Sequence, residues 1–196
     1  MSDRLPSLDR ASAVPAIIRE PEDFLIISGL AGAARDVAAL TNDGDNAFIM
    51  AGAMGAAVMM GFGLALAQPK RRILVVTGDG ELLMNVGALA TVGIANPANL
   101  SILCIDNGHY GETGFQKSHT SHGVDLEKIA IGAAIRTTRT VWAESEIPDA
   151  ARLLREANSS AFVLLKVTAA DAPKYSRSMD AALSRMRFKR ALAAQN

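Results

Sequence analysis

A chain of 196 residues with 49% apolar and 20% charged side chains can form one sizeable domain with a substantial core. Its twenty basic and twenty acidic side chains cancel, so no global field points to nucleic acid or to an anionic membrane. The single cysteine, Cys104, excludes a disulfide framework, and MSDRLPSLDRASAVP lacks the apolar core of a signal peptide, so a reducing cytoplasm is the expected compartment.

In chain order, residues 1–20 read as an N-terminal extension. FLIIS (24–28) reads as a strand, AGAARDVAAL (31–40) as a helix and TNDGDN (41–46) as a loop. The stretch AFIMAGAMGAAVMMGFGLALA (47–67) then runs 21 residues without a charge, long enough to span a bilayer. Its many Gly and Ala residues, and the lack of a second such stretch, favour a helix over 52–67 packed closely against a sheet. ILVVTG (73–78) is a strand, 81–95 a helix, and LSILCID (100–106) a second almost wholly apolar strand. Beyond a loop rich in Gly, Ser and His come helices at 125–134 and 147–157 and strands at 138–142 and 161–168. The C-terminal stretch 175–196 reads as a basic amphipathic helix, solvated or facing an acidic partner. Strands and helices alternating at this pitch predict a three-layer α/β fold, a mostly parallel sheet with helices on both faces.

Ligands of such folds sit beyond the carboxyl ends of the strands. There GDG (78–80) ends one buried strand and Asp106-Asn107-Gly108 ends the next, with Asn107 following Asp79 by 28 positions. A carboxylate, an amide oxygen and a backbone carbonyl form a hard, oxygen-only set suited to Mg²⁺. Gly80 and Glu81 open a helix, so their N–H groups can meet a phosphate. GDG alone would be an ordinary capped turn; GDG and DNG together, each closing a buried strand, are more specific. No GK[ST] follows, and SGLAGAA has the wrong glycine spacing for a dinucleotide fingerprint.

VVTGDGELLMNVGALATVG and LSILCIDNGHYGETGFQ, with the upstream GAMGAAVMMGFGLALAQPKRR, resemble the diphosphate-binding domain of thiamine diphosphate enzymes. The matching runs cover residues 24–120. DNGHYGETGFQ is most similar to the β chains of sulfopyruvate decarboxylases and to phosphonopyruvate decarboxylases. The resemblance implies thiamine diphosphate and Mg²⁺ as cofactors, with Asp79, the Asn107 side chain and the His109 backbone carbonyl as metal ligands. Gly78, Gly80 and Glu81 fall at the diphosphate, with Tyr110 beside it. Gly52 and Met54 match positions touching the aminopyrimidine ring, where an apolar side chain, here Met54, holds the cofactor bent for catalysis. Gly29 and Leu30 contact the diphosphate or simply form a strand-to-helix turn. Met54 on its own would be an ordinary core methionine. His119 and His122 are either metal ligands by spacing or solvent-facing imidazoles, and with Lys117 they could form a cationic patch for a substrate's second anionic group.

The implied activity is decarboxylation of a small anionic 2-oxo acid. Alternatives are a non-catalytic cofactor-binding regulatory module, the β chain of a 2-oxo acid oxidoreductase and a transketolase-like half. One cysteine cannot hold the oxidoreductase's cluster, and Met84-Asn85 departs from the transketolase pattern. The family also needs a glutamate from a pyrimidine-binding domain. With residues 1–196 read as one domain, that glutamate is expected on a separate α subunit, in an assembly of at least α₂β₂.

Overall fold

The computed structural model describes residues 5–194; the first four residues of the expected extension and the last two of the C-terminal helix lie outside it. In chain order the elements are α1 (Arg10–Ile18), β1 (Phe24–Ser28), α2 (Ala31–Thr41), β2 (Ala47–Ile49), α3 (Ala57–Ala67), β3 (Arg72–Gly78), α4 (Asp79–Leu83) and α5 (Ala88–Ala95). There follow β4 (Leu100–Asp106), β5 (His109–Tyr110), β6 (Gln116–Lys117), α6 (Leu126–Gly132), β7 (Thr137–Val141), α7 (Ile147–Glu156), β8 (Ala161–Lys166) and α8 (Ala181–Ala193). Six strands form one sheet in the order β2-β1-β3-β4-β8-β7, every pair parallel, while β5 and β6 make a separate antiparallel hairpin. The expected mostly parallel, doubly covered sheet is the fold of this chain.

β1 and β4 are buried at every residue, as strands covered on both faces must be. Alternate side chains of β1, β3 and β4 feed two separate cores. Phe24, Ile26, Leu74, Val76, Leu103 and Ile105 pack with α1, α2 and α7. Leu25, Ile27, Ile73, Val75, Ile102 and Cys104 pack with α3, α5 and α6.

The uncharged stretch 47–67 divides into β2, a turn and the 11-residue α3. Among the described residues no helix is long and apolar enough to cross a membrane. Its small residues serve close packing: a Cβ on Gly61 would overlap the Val75 side chain of β3.

The N-terminal segment is more than an extension. α1 forms despite Pro15 because Ala13, Val14, Ile17 and Ile18 bury themselves in the first core. Leu8 bridges to Val167 in parallel fashion. Arg10 is buried and pairs with Asp36 of α2, whose carboxyl burial pushes up against the pull of that guanidinium. At the other end, Arg187 of α8 pairs with Asp43 and Asp45, so the basic helix finds acidic partners within its own chain.

The chain passes from β1 outward to β2 by way of α2, then returns across β1 to β3. The reversal opens a crevice between the carboxyl ends of β1 and β3, at Ser28 and Gly78. Ala31 opens α2 there with φ of 54°, a left-handed conformation costing an alanine about 1–2 kcal/mol. Ala31→Gly should therefore stabilise the fold by about 0.5–1 kcal/mol after glycine's entropic cost. That is a rise in melting temperature of about 1–4 °C by calorimetry.

Candidate active site

A crevice of about 120 Å³ lies over the switch point and is lined by Leu30, Met54, Gly78, Asp79, Gly80, Glu81, Asn107, His109 and Tyr110. These groups come from three strand ends and one turn, and the strand order alone brings them together. Two of the candidate residues lie elsewhere. Gly29 is buried behind the wall, where a Cβ would overlap the Glu81 carboxylate. Gly52 is exposed on a neighbouring groove with Met50, Met60 and Arg177.

Glu81 joins the two sides of the switch point. Its Oε2 accepts from the Leu30 N–H at 3.0 Å and from the Thr77 hydroxyl at 3.0 Å. Among the described residues its Oε1 is buried with no hydrogen-bond partner, and burial pushes its carboxyl above the usual range. Gly80 sits under the Tyr110 ring, which a Cβ there would strike. The expected helix over 81–95 is interrupted after Leu83, so α4 is only five residues long and its dipole is correspondingly small. The interruption has a use: Asn85 Nδ2 donates to the Gly55 carbonyl at 3.2 Å and fixes the turn that carries Met54. Met54 stands at the rim with 44% of its surface exposed, unlike a core methionine.

Asp79 is 2% exposed and Asp106, at the end of the next strand, 1%. Burial, reinforced by the Asp106 carboxylate nearby, pushes Asp79 up to about 6. Lys166 of β8 offsets Asp106 through an ion pair of 2.6 Å. Asn107 Oδ1 accepts from the His109 N–H at 3.1 Å, and the His109 ring reaches back to the Asn107 carbonyl at 2.9 Å while stacking on Phe115. One lone pair of Asn107 Oδ1 remains for another partner. A carboxylate and an amide oxygen on one crevice wall fit a hard divalent cation such as Mg²⁺. Among the described residues no group of three or more His, Cys, Asp or Glu could hold a metal, and His119 and His122 belong to none.

The KSHTSHG segment (117–123) lies beside the crevice, with His119 Nδ1 3.4 Å from the Tyr110 hydroxyl and Lys117 on the neighbouring cavity. His119 and His122 are exposed, and neither they nor Lys117 line the crevice. Its inward groups are hydroxyls: Ser118 donates to Asp79 Oδ2, Thr120 to Asp106 Oδ1 at 2.7 Å, and Ser121 to the Gly108 carbonyl at 2.6 Å. Among the described residues, the crevice-wall cation without an ion-pair partner is Arg35 of α2, whose Nε is buried with no hydrogen-bond partner there. Arg35 and the three hydroxyls carry no local sequence signal beyond small polar residues set among histidines.

Fold and site together define a doubly wound α/β domain with a crevice at the switch point, where ligands of such folds sit. The family described as thiamine pyrophosphate enzyme, C-terminal TPP binding domain, matches residues 31–167, and the chain belongs to it. It is 45% identical over 98 residues to the sulfopyruvate decarboxylase subunit β of Methanocaldococcus jannaschii, covering 50% of this chain and 52% of the relative. It is 38% identical over 142 residues to the phosphonopyruvate decarboxylase of Streptomyces viridochromogenes, covering 72% of this chain and 35% of the relative. The chain thus spans about half of the first relative's length and about a third of the second's. Among solved structures, a chain from Mycobacterium smegmatis described as a thiamin diphosphate-dependent enzyme shares the fold. Its TM-score is 0.64 at 16% identity, over 82% of this chain and 32% of that one.

Proposed function

We propose that the chain is the diphosphate-binding β subunit of a thiamine diphosphate- and Mg²⁺-dependent decarboxylase acting on a small anionic 2-oxo acid. The observation that carries this reading is the shared crevice of Asp79, Asn107, Gly78 and Met54 in a chain of the thiamine pyrophosphate family. Asp79 and Asn107 would hold the metal with the His109 carbonyl, and the metal would hold the diphosphate. Gly78 and the N–H groups of Gly80 and Glu81 would border the diphosphate, with Tyr110 beside it, and Met54 would support the cofactor's bend. The bound cofactor supplies the electron sink for the carbanion left when CO₂ departs. Glu81 keeps the Leu30 turn against β3. A pyrimidine-binding α subunit would complete the site, with two clefts giving at least α₂β₂. The lone buried Cys104 suits a reducing cytoplasm.

The two relatives act, by their names, on a sulfonate and a phosphonate of pyruvate, each with a second anionic group. Arg35 supports the same class here, because a guanidinium on the crevice wall, without an ion pair among the described residues, can donate to such a group. A charge-assisted hydrogen bond contributes about 1.5–3 kcal/mol, or about 10–100-fold in affinity. In the assembled enzyme Arg35→Met should raise KM for sulfopyruvate or phosphonopyruvate by that factor and leave pyruvate turnover almost unchanged. A wild-type assembly that decarboxylates none of these acids would refute the proposed function. Equal losses on all three in Arg35→Met would refute the role of Arg35.

A further inference from the structure

Two hydroxyls meet one oxygen of Asp79. Ser118, itself fully buried, donates to Oδ2, and Thr120 Oγ1 lies 3.1 Å from the same atom. The two hydroxyls touch each other at 2.9 Å, and Thr120 also reaches Asp106 Oδ1 at 2.7 Å. Their segment is fastened to the end of β4, since the Ser118 N–H donates to the Gly108 carbonyl at 2.7 Å beside the Ser121 hydroxyl. Asp106 is in turn anchored by the Gly108 N–H at 3.0 Å and by Lys166. Thr120 lines the cavity on the β8 side of this cluster, whereas Asp79 lines the crevice. Oδ2 is therefore engaged from behind, and Oδ1 is left for the crevice.

Asp79 Oδ2 accepts the Ser118 proton and packs against Thr120 Oγ1, whose own proton goes to Asp106, so it is held away from the crevice and the other oxygen is the one offered to a metal. Mg²⁺ demands compact octahedral geometry at about 2.0–2.1 Å and takes carboxylates one oxygen at a time. Ca²⁺ accepts six to eight oxygens at about 2.3–2.6 Å and readily takes a carboxylate through both. Groups behind a ligand that fix its orientation are worth about 10–100-fold in metal affinity.

We propose that Ser118 and Thr120 clamp Asp79 into one-oxygen coordination and thereby set the preference of this site for Mg²⁺ over Ca²⁺. Both are positioning residues, acting through Asp79, and the proposal rests on Asp79 being a metal ligand.

The test is calorimetric titration of the full chain, in a fixed excess of thiamine diphosphate, with Mg²⁺ and separately with Ca²⁺, so that metal and cofactor bind together. The wild-type chain should bind Mg²⁺ more tightly than Ca²⁺. Thr120→Val, Ser118→Ala and their combination should lower Mg²⁺ affinity by about 10–100-fold. Ca²⁺ affinity should hold or rise, so the ratio of the two falls at least tenfold in the double variant. Thr120→Ser, which keeps the hydroxyl, should keep the wild-type ratio. Ser118→Ala leaves the Thr120 side chain in place, so the ratio can be read even where Thr120→Val weakens the fold. Equal losses for both metals, or an unchanged ratio in folded variants, would overturn the clamp while leaving Asp79 as a ligand. A wild-type chain that binds neither metal would overturn the metal assignment and the clamp together.

Discussion

Asp79→Asn should abolish metal-dependent binding of thiamine diphosphate while the fold survives. The substitution keeps the shape of the side chain and an oxygen for Ser118, but removes the one ionised ligand assigned to the metal. The diphosphate then faces a weakly held cation at best. Calorimetry should show cofactor affinity in Mg²⁺ falling more than about 100-fold, beyond the loss of an outer partner. Stability should move the other way. Asp79 is buried beside Asp106 and titrates near 6, above its ordinary 3.8, so the folded chain holds that proton more tightly than the unfolded chain. The metal-free fold therefore has a stabilising contribution that is full below about pH 4 and lost as pH rises through about 6. At neutral pH the ionised carboxylate costs on the order of 3 kcal/mol. Asp79→Asn removes that cost, so the metal-free variant should melt no lower than wild type at pH 7 and depend less on pH between 4 and 7. Undiminished Mg²⁺-dependent affinity in the variant would remove Asp79 from the metal site.

The second large effect concerns what the chain does by itself. We expect the 196-residue chain, loaded with cofactor and Mg²⁺, to release no measurable CO₂ from a 2-oxo acid, and co-production with an α subunit to restore turnover. Two observations support this. The M. jannaschii relative is by its name one subunit of its enzyme. The chain also leaves apolar side chains exposed beside the crevice and on α3: Met54, Met59, Met60 and Leu66, with Met84, whose backbone lies beside Gly55, 58% exposed. Such side chains in one region mark a surface that another chain can cover. Size-exclusion chromatography with light scattering should find both subunits in equal number, in at least an α₂β₂ particle. Turnover by the isolated chain would rule out a separate source for the activating glutamate.

Much of this was legible in the order of residues, for identifiable reasons. β3 and β4 declare themselves because strands buried on both faces are apolar without interruption. Asp79 and Asn107 stand out because each directly follows or closes such a run. β2 is hidden because its three residues begin an uncharged run that continues into α3. α1 is hidden by Pro15, whose local cost is overridden by burial of Val14, Ile17 and Ile18. The break between α4 and α5 falls at Asn85 and Gly87, both poor helix formers, and Asn85 is tied there to Gly55, thirty positions earlier. Ser118 and Thr120 reach Asp79 across 39 and 41 positions, and only the folded loop shows that the hydroxyls, not the histidines between and beside them, face inward. Arg35 reads as one polar residue on an amphipathic helix until the sheet order sets it on the crevice wall.

The most direct measurement is a crystal structure of the chain grown with thiamine diphosphate and Mn²⁺ in place of Mg²⁺, using the anomalous signal of manganese to locate the ion. The account predicts one peak in the crevice, within about 2.0–2.3 Å of a single Asp79 oxygen and of Asn107 Oδ1. The diphosphate should lie across Gly78 and Gly80, and Met54 should touch the cofactor. Manganese bound away from Asp79 and Asn107, or cofactor density outside the crevice between β1 and β3, would contradict it.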